Sequence, residues 1–197
     1  MGVGNGDIDA LAKDWRRTLG LDERLELANA LWGTNTHEAR VCAAKLLTQA
    51  RIKPNDTAAW ALIASWVPDF DGWAIADHAM MAGQRRLTAQ PARLADITPW
   101  VGSDHMWTKR AAMVITLPFA RQRDPKPFEL DIRETVLGWA AQYVDDKAWF
   151  IQKSVSWWLR ELSRKDPARV RAFMADHGDK MKGFARKDAT RLLPAVE

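Results

Sequence analysis

The sequence predicts an all-α protein, and three observations carry that prediction. Nearly every stretch between breakers places apolar residues at helical spacing, and almost nothing alternates with period two. Pro54, Pro68, Pro91, Pro125, Pro127 and Pro167 fall between these stretches or at their starts, where a missing N–H does least harm. Similar helices also recur. Asp104-His-Met-Trp107-Thr-Lys-Arg110 aligns with Asp146-Lys-Ala-Trp149-Phe-Ile-Gln152, with Lys153 next, 42 residues later, and a fainter copy begins at Asp69 and carries Trp73. Periods of about 40 residues with two helices each mark HEAT-like repeats. Such antiparallel pairs stack into a curved solenoid whose concave face is a long binding surface. A plain helical bundle shares the same helical pattern; the recurrence favours the solenoid.

Taken in order, the elements are these. Gly2-Val-Gly-Asn-Gly6 lacks the preceding strand and the Lys-Ser/Thr ending of a phosphate loop, so it reads as a loop entering a helix. Asn35 with Glu38 three residues on is a variant capping box that opens a helix towards Arg51. From about Phe70 to Ala82, positions 70, 73, 74, 77, 80 and 81 share one helix face and read Phe, Trp, Ala, Asp, Met, Met. Positions 106, 107, 110, 113, 114 and 117 read Met, Trp, Arg, Met, Val, Leu. Ile132, Val136, Trp139, Ala140 and Tyr143 form one amphipathic stripe, and Ile151, Val155, Trp158, Leu159 and Leu162 another. About ten or eleven helices of three to four turns account for the chain.

A length of 197 residues suits one domain, or two small ones, and buries enough apolar surface to fold without staples. Hydrophobic residues at 47% and charged residues at 27% exclude disorder. The longest apolar run, Ala58 to Ala64, is too short to cross a bilayer. The start, Met-Gly-Val-Gly-Asn-Gly, has no basic or apolar secretory signal, so the cytoplasm is the expected compartment. A lone Cys42 on an Ala/Leu-rich stretch excludes a disulfide framework and reads as a small buried hydrophobe. His37, His78, His105 and His177 are scattered singly, and no metal site or cofactor is expected. The net charge is +4, unevenly spread. Residues 1–103 carry 11 basic and 12 acidic side chains, residues 104–197 carry 18 and 13, a polarity that suits a polyanion or simply a solvated face.

Residues that break their own pattern are the functional candidates. Asp77 lies within an apolar stripe one turn from Trp73, where a carboxylate needs a partner, a raised pKa or access to a cleft. Arg110 is similarly placed among apolar neighbours. The two are either site residues or an ion pair between adjacent repeats. Lys153, Trp157, Arg160 and Arg164 share a face beside the stripe of Trp158. Cations interleaved with an aromatic suit phosphates and sugars, or else snorkel around a Trp packed at a repeat junction. Most of the 11 Trp are expected in the core.

Trp73-Ala-Ile-Ala-Asp77, Ser103-Asp-His-Met-Trp-Thr-Lys-Arg-Ala-Ala112 and Phe150-Ile-Gln-Lys-Ser-Val-Ser-Trp-Trp-Leu-Arg-Glu161 resemble signature stretches of the AlkD-like DNA alkylation repair glycosylases. The similarity runs from about residue 25 to Leu193. It implies a solenoid of HEAT-like repeats that cups duplex DNA and hydrolyses the N-glycosidic bond of cationic N3- and N7-alkylated purines, without base flipping. By the same resemblance Asp77 is the catalytic carboxylate, and Trp73 and Trp157 lie against the deoxyribose. Arg110 matches an arginine that binds the backbone near the lesion, and Lys109, Lys153, Arg160 and Trp107 are expected to complete the DNA-binding set. The partner implied is double-stranded DNA with alkylated bases, met by a monomer that forms a single domain over residues 1–197. That domain begins about 30 to 45 residues into the family's usual arrangement, about one repeat. Gly72 stands where relatives often have a second aromatic. A non-catalytic HEAT-like DNA-binding protein and a protein–protein scaffold are the alternatives.

Overall fold

The computed structural model describes residues 2–195, and among these there is no β-strand. Twelve α-helices, counted among the described residues, fall into two compact units divided between Ile97 and Thr98. The number exceeds ten or eleven because Leu94–Ile97 and Leu117–Arg121 are single-turn helices, too short to leave a periodic trace in the sequence.

The first unit contains α1 (Asn5–Thr18), α2 (Leu21–Gly33), α3 (His37–Leu46), α4 (Thr57–Ser65), α5 (Trp73–Ala89) and α6 (Leu94–Ile97). The glycine-rich start does lead into a helix, and Glu23 closes the start of α2 by accepting the Gly20 N–H at 2.8 Å. The junction at Asn35 differs from the capping box the sequence suggested. Asn35 adopts φ 53, a left-handed conformation that asparagine tolerates, and turns the chain between α2 and α3. Thr36 is the residue that flanks α3, which ends at Leu46 rather than near Arg51. The centre of the unit is α3, packed on α1, α2 and α5. Ala43 and Ala44 on α3 and Ala76, Ala79, Ala82 and Gly83 on α5 are buried, and small side chains let two helix axes approach closely. Cys42 is buried, and burial pushes its thiol pKa up.

A recurring junction ties the helix pairs together. Trp32 donates its indole N–H to Asp69 at 2.9 Å while the Arg40 guanidinium lies 4.9 Å over its ring. Trp60 donates to Asp96 at 3.0 Å beneath Arg93, 5.3 Å from its ring. The two Trp–Asp bonds span 37 and 36 residues, so the same contact is made twice at nearly the same separation. Arg93 and Arg86 also converge on Asp56, at 2.6 and 2.9 Å.

The second unit contains α7 (Met106–Ile115), α8 (Leu117–Arg121), α9 (Pro127–Tyr143), α10 (Trp149–Ser163), α11 (Pro167–His177) and α12 (Gly183–Thr190). Pro127 and Pro167 each open a helix, and Asp166 caps α11 by accepting the Arg169 N–H at 2.9 Å. The hub is α10, which touches α7, α8, α9, α11 and α12. Its predicted stripe is fully buried: Ile151, Val155, Trp158, Leu159 and Leu162 all have 0% exposure. Each such aliphatic side chain contributes about 1.5–3 kcal/mol when fully buried. The α9 stripe of Ile132, Val136, Trp139, Ala140 and Tyr143 is buried as well. Gln152, also at 0%, aims its amide nitrogen at the carbonyls of Tyr143, Val144 and Asp146 (3.1, 2.9 and 2.9 Å) and accepts the Lys182 N–H at 3.0 Å. It thereby fastens the turn before α10 to the start of α12.

Candidate functional site

In the first unit the site is built on α5. The sequence places Phe70, Trp73, Ala74, Asp77, Met80 and Met81 on one apolar face; the structure buries Phe70 and Met80 but leaves Trp73 and Met81 exposed. The buried face is Ile75, Ala76, Ala79, Met80, Ala82, Gly83, Arg86 and Leu87. Phe70 precedes the helix and is buried against Trp32, their ring centroids 6.0 Å apart. Trp73 is 55% exposed and Met81 49%, with Asp77 half-buried between them at the i+4 spacing. That buried face mixes Ile75, Met80 and Leu87 with Ala76, Ala79, Ala82 and Gly83, and the small side chains let α5 approach the alanines of α3 closely. Asp77 therefore sits on a partly open apolar strip, not inside a sealed one. A carboxylate there keeps access to solvent, and its charge is screened less than on a fully wet surface.

The electrostatics around Asp77 are mixed. Burial, then the Lys45 ammonium, pushes the neighbouring His78 imidazole below its ordinary range, against the pull of Asp77 and Asp9. Lys45 is itself paired with Asp9 at 2.5 Å. Gly72, in an extended conformation at the start of α5, leaves open space where a side chain would stand.

In the second unit the candidates lie on α7 and α10. Trp157 is half-buried and oriented by Glu161, which accepts its indole N–H at 3.2 Å. Arg121 completes the group, 5.9 Å over the Trp157 ring and 3.1 Å from the Glu161 carboxylate. Burial raises the Glu161 pKa, but the Arg121 hydrogen bond and charge outweigh it and hold the carboxyl below its usual range. Arg110 is only 3% exposed; it donates to the Phe150 carbonyl at 3.0 Å, with its guanidinium 5.9 Å over that ring. Trp107 is half-buried against the same ring at 4.8 Å.

The predicted cations differ in what they offer. The Lys109 ammonium is bound to Asp146 and lies 4.9 Å over Tyr143, and Arg160 grips both oxygens of Asp188 at 2.6 Å. Both are half-buried, so their charge is largely met within the fold. Lys153 is exposed, its ammonium 4.4 Å over Trp149.

Sequence reasoning missed three features. Trp149 and Phe184 are exposed large aromatics in mutual contact, at 5.6 Å. Glu161 holds Trp157, a relation already visible in the i, i+4 spacing. Gln152 is structural, which only its buried contacts reveal. Among the described residues no group of three His, Cys, Asp or Glu side chains converges as a metal site, and no helix is long and apolar enough to cross a membrane.

None of the curated proteins matches the chain in sequence. Solved structures that share its fold include the following three. A predicted DNA alkylation repair enzyme from Enterococcus faecalis aligns with TM-score 0.81 at 16% identity, over 99% of this chain and 88% of that one. The protein smu.31 from Streptococcus mutans UA159 aligns with TM-score 0.70 at 16% identity, over 96% and 92%. AlkD2 from Streptococcus mutans aligns with TM-score 0.70 at 17% identity, over 99% and 93%. The family model described as DNA alkylation repair enzyme matches residues 1–193. With that match spanning almost its entire length, the chain belongs to the DNA alkylation repair enzyme family.

Proposed function

We propose that this protein is a monofunctional DNA glycosylase that releases positively charged N3- and N7-alkylated purines from duplex DNA, acting as a monomer without a cofactor. The observation that carries this reading is the open strip on α5, with Asp77 half-buried one turn from a Trp73 ring that is 55% exposed. An N-alkylated purine already carries positive charge, so its C1′–N bond breaks with little acid catalysis. The electron pair leaves with the base, which departs neutral. Charge then develops on the sugar as an oxocarbenium ion. A fixed carboxylate in a partly dry setting stabilises that ion and orients the attacking water, whose oxygen bonds to C1′ as its proton passes to Asp77 or solvent. The face of Trp73 attracts the same cation through its quadrupole. None of these steps requires the lesion to enter a pocket, which fits excision without base flipping.

The second unit supplies DNA contacts in this reading. Trp157, held by Glu161, offers a second ring to the backbone sugars, and Lys153 offers an exposed ammonium to a phosphate. Arg110, buried and bonded to the Phe150 carbonyl, acts by fixing the start of α10 rather than by a broad surface contact. Lys109 and Arg160 contribute through their ion-paired frames. The test is release of 7-methylguanine from methylated duplex DNA. Measured release supports the reading; salt-sensitive duplex binding without release would instead make the protein a non-catalytic DNA binder.

A further inference from the structure

We propose that Trp149 and Phe184, with Lys153 and Lys187, form a second ledge that holds one strand of DNA away from the reacting nucleotide. The identity of the partner rests on the glycosylase reading above; the ledge itself is read from geometry. The helices α7, α10 and α12 each place an aromatic at their first or second residue: Trp107, Trp149 and Phe184. With Phe150 these rings make a continuous row. Trp107 meets Phe150 at 4.8 Å, Phe150 meets Trp149 edge-on at 4.9 Å, and Trp149 stacks on Phe184 at 5.6 Å and 26°. Trp107 and Phe150 are half-buried, while Trp149 and Phe184 keep 46% and 38% of their surface open.

Charge decides which partner fits two open rings. The Lys153 ammonium lies 4.4 Å over Trp149, and Lys187, exposed, follows Phe184 at the i+3 position on α12. Residues 180–191 carry five basic side chains and one acidic, and that acid, Asp188, is already gripped by Arg160. Flat rings flanked by unneutralised cations match a nucleic-acid strand, which brings sugar and base faces together with phosphates. An apolar peptide supplies no anions for these ammonium groups.

The register along α10 gives the ledge a position on DNA. Trp149, Lys153 and Trp157 follow i, i+4, i+8 and so lie on one face. Eight residues of helix span about 12 Å. That equals about three to four nucleotides of duplex axis at about 3.4 Å each. With α10 laid along the duplex axis, as the proposal has it, the ledge meets the strand about that many nucleotides from the one at Trp157.

The test titrates a fluorescein-labelled duplex carrying one 7-methylguanine with the wild type, Trp149→Ala/Phe184→Ala, Trp149→Tyr and Lys153→Gln/Lys187→Gln. The aromatic double variant raises Kd about tenfold. Trp149→Tyr recovers most of that, and the loss falls on affinity rather than on the excision rate at saturating protein. The lysine double variant lowers the slope of log K against log salt by about two. Hydroxyl-radical protection shrinks on one side only, about three to four nucleotides out. Unchanged affinity and footprint in both double variants, with wild type binding the duplex normally, overturn the ledge and the Lys153 phosphate contact, and leave the excision chemistry at Asp77 standing. A wild type that binds no duplex removes that reading and the ledge with it. Binding of an acidic peptide to the ledge, with duplex binding unaffected by the variants, also overturns it. If the aromatic double variant fails to fold, Lys187→Gln, exposed in the fold, decides: an unchanged salt slope overturns the ledge, and a slope lower by about one supports it.

Discussion

Replacing Gln152 with Leu tests whether the Phe-Ile-Gln-Lys stretch is chemistry or framework. The side chain is fully buried and serves four backbone groups: the carbonyls of Tyr143, Val144 and Asp146, and the Lys182 N–H. Leucine keeps the volume but satisfies none of them. Each buried polar group left without a partner costs about 1–3 kcal/mol. The Asp146 carbonyl lies at the edge of the turn and can recover a water, so the expected loss is about 3–5 kcal/mol, against a typical total of about 5–15. For a chain of this size, 1 kcal/mol moves Tm by about 2–4 °C, so the melting transition should fall by about 10 °C. Thermal unfolding followed by far-ultraviolet circular dichroism measures it. A Tm within about 2 °C of wild type would refute the account of Gln152 as the clamp between the α10 turn and α12.

Three further outcomes follow from the same reasoning. Asp56→Asn removes the carboxylate shared by Arg86 and Arg93, which are 1% and 5% exposed, and should destabilise by about 3–5 kcal/mol because two buried cations lose their partner; urea unfolding reads this directly, and a loss below about 1 kcal/mol contradicts it. Asp56 also predicts an acid sensitivity. Its hydrogen bond from Arg93 holds the carboxyl below its ordinary value, despite burial, so the stabilisation is complete above the unfolded pKa and is lost as pH falls through the folded one; the urea midpoint should drop below about pH 4 in wild type and much less in Asp56→Asn. Trp73→Ala should lower 7-methylguanine release about tenfold while leaving Tm nearly unchanged, since its ring is largely in solvent; equal excision rates would take Trp73 out of the site.

The fold was legible where one apolar stripe per helix leaves no choice. On α9 and α10 the stripes through Tyr143 and Leu162 are the core, as the spacing alone predicts. On α5 the spacing groups Trp73 and Met81 with Phe70 and Met80, yet only the last two are buried, because the helix turns Ile75, Ala76, Ala79 and Leu87 towards its neighbours. Only the neighbouring helix resolves that, and a single sequence does not name the neighbour. The same limit applies to cations. Lys109, Lys153 and Arg160 look alike in sequence, yet Asp146 and Asp188 neutralise two of them from 37 and 28 residues away. Asp77 was legible as an anomaly because a carboxylate between Trp73 and Met81 breaks its stripe; that the stripe is open to solvent came from the structure.

The central claim is that Asp77 stabilises a sugar that becomes cationic as its base leaves, and one measurement addresses it: single-turnover release of 7-methylguanine from duplex DNA by wild type and Asp77→Asn, with duplex affinity measured in parallel. The account predicts release by wild type and a loss of about a hundredfold or more in the variant, with affinity changed only a few-fold. Equal release rates in the two proteins would contradict it.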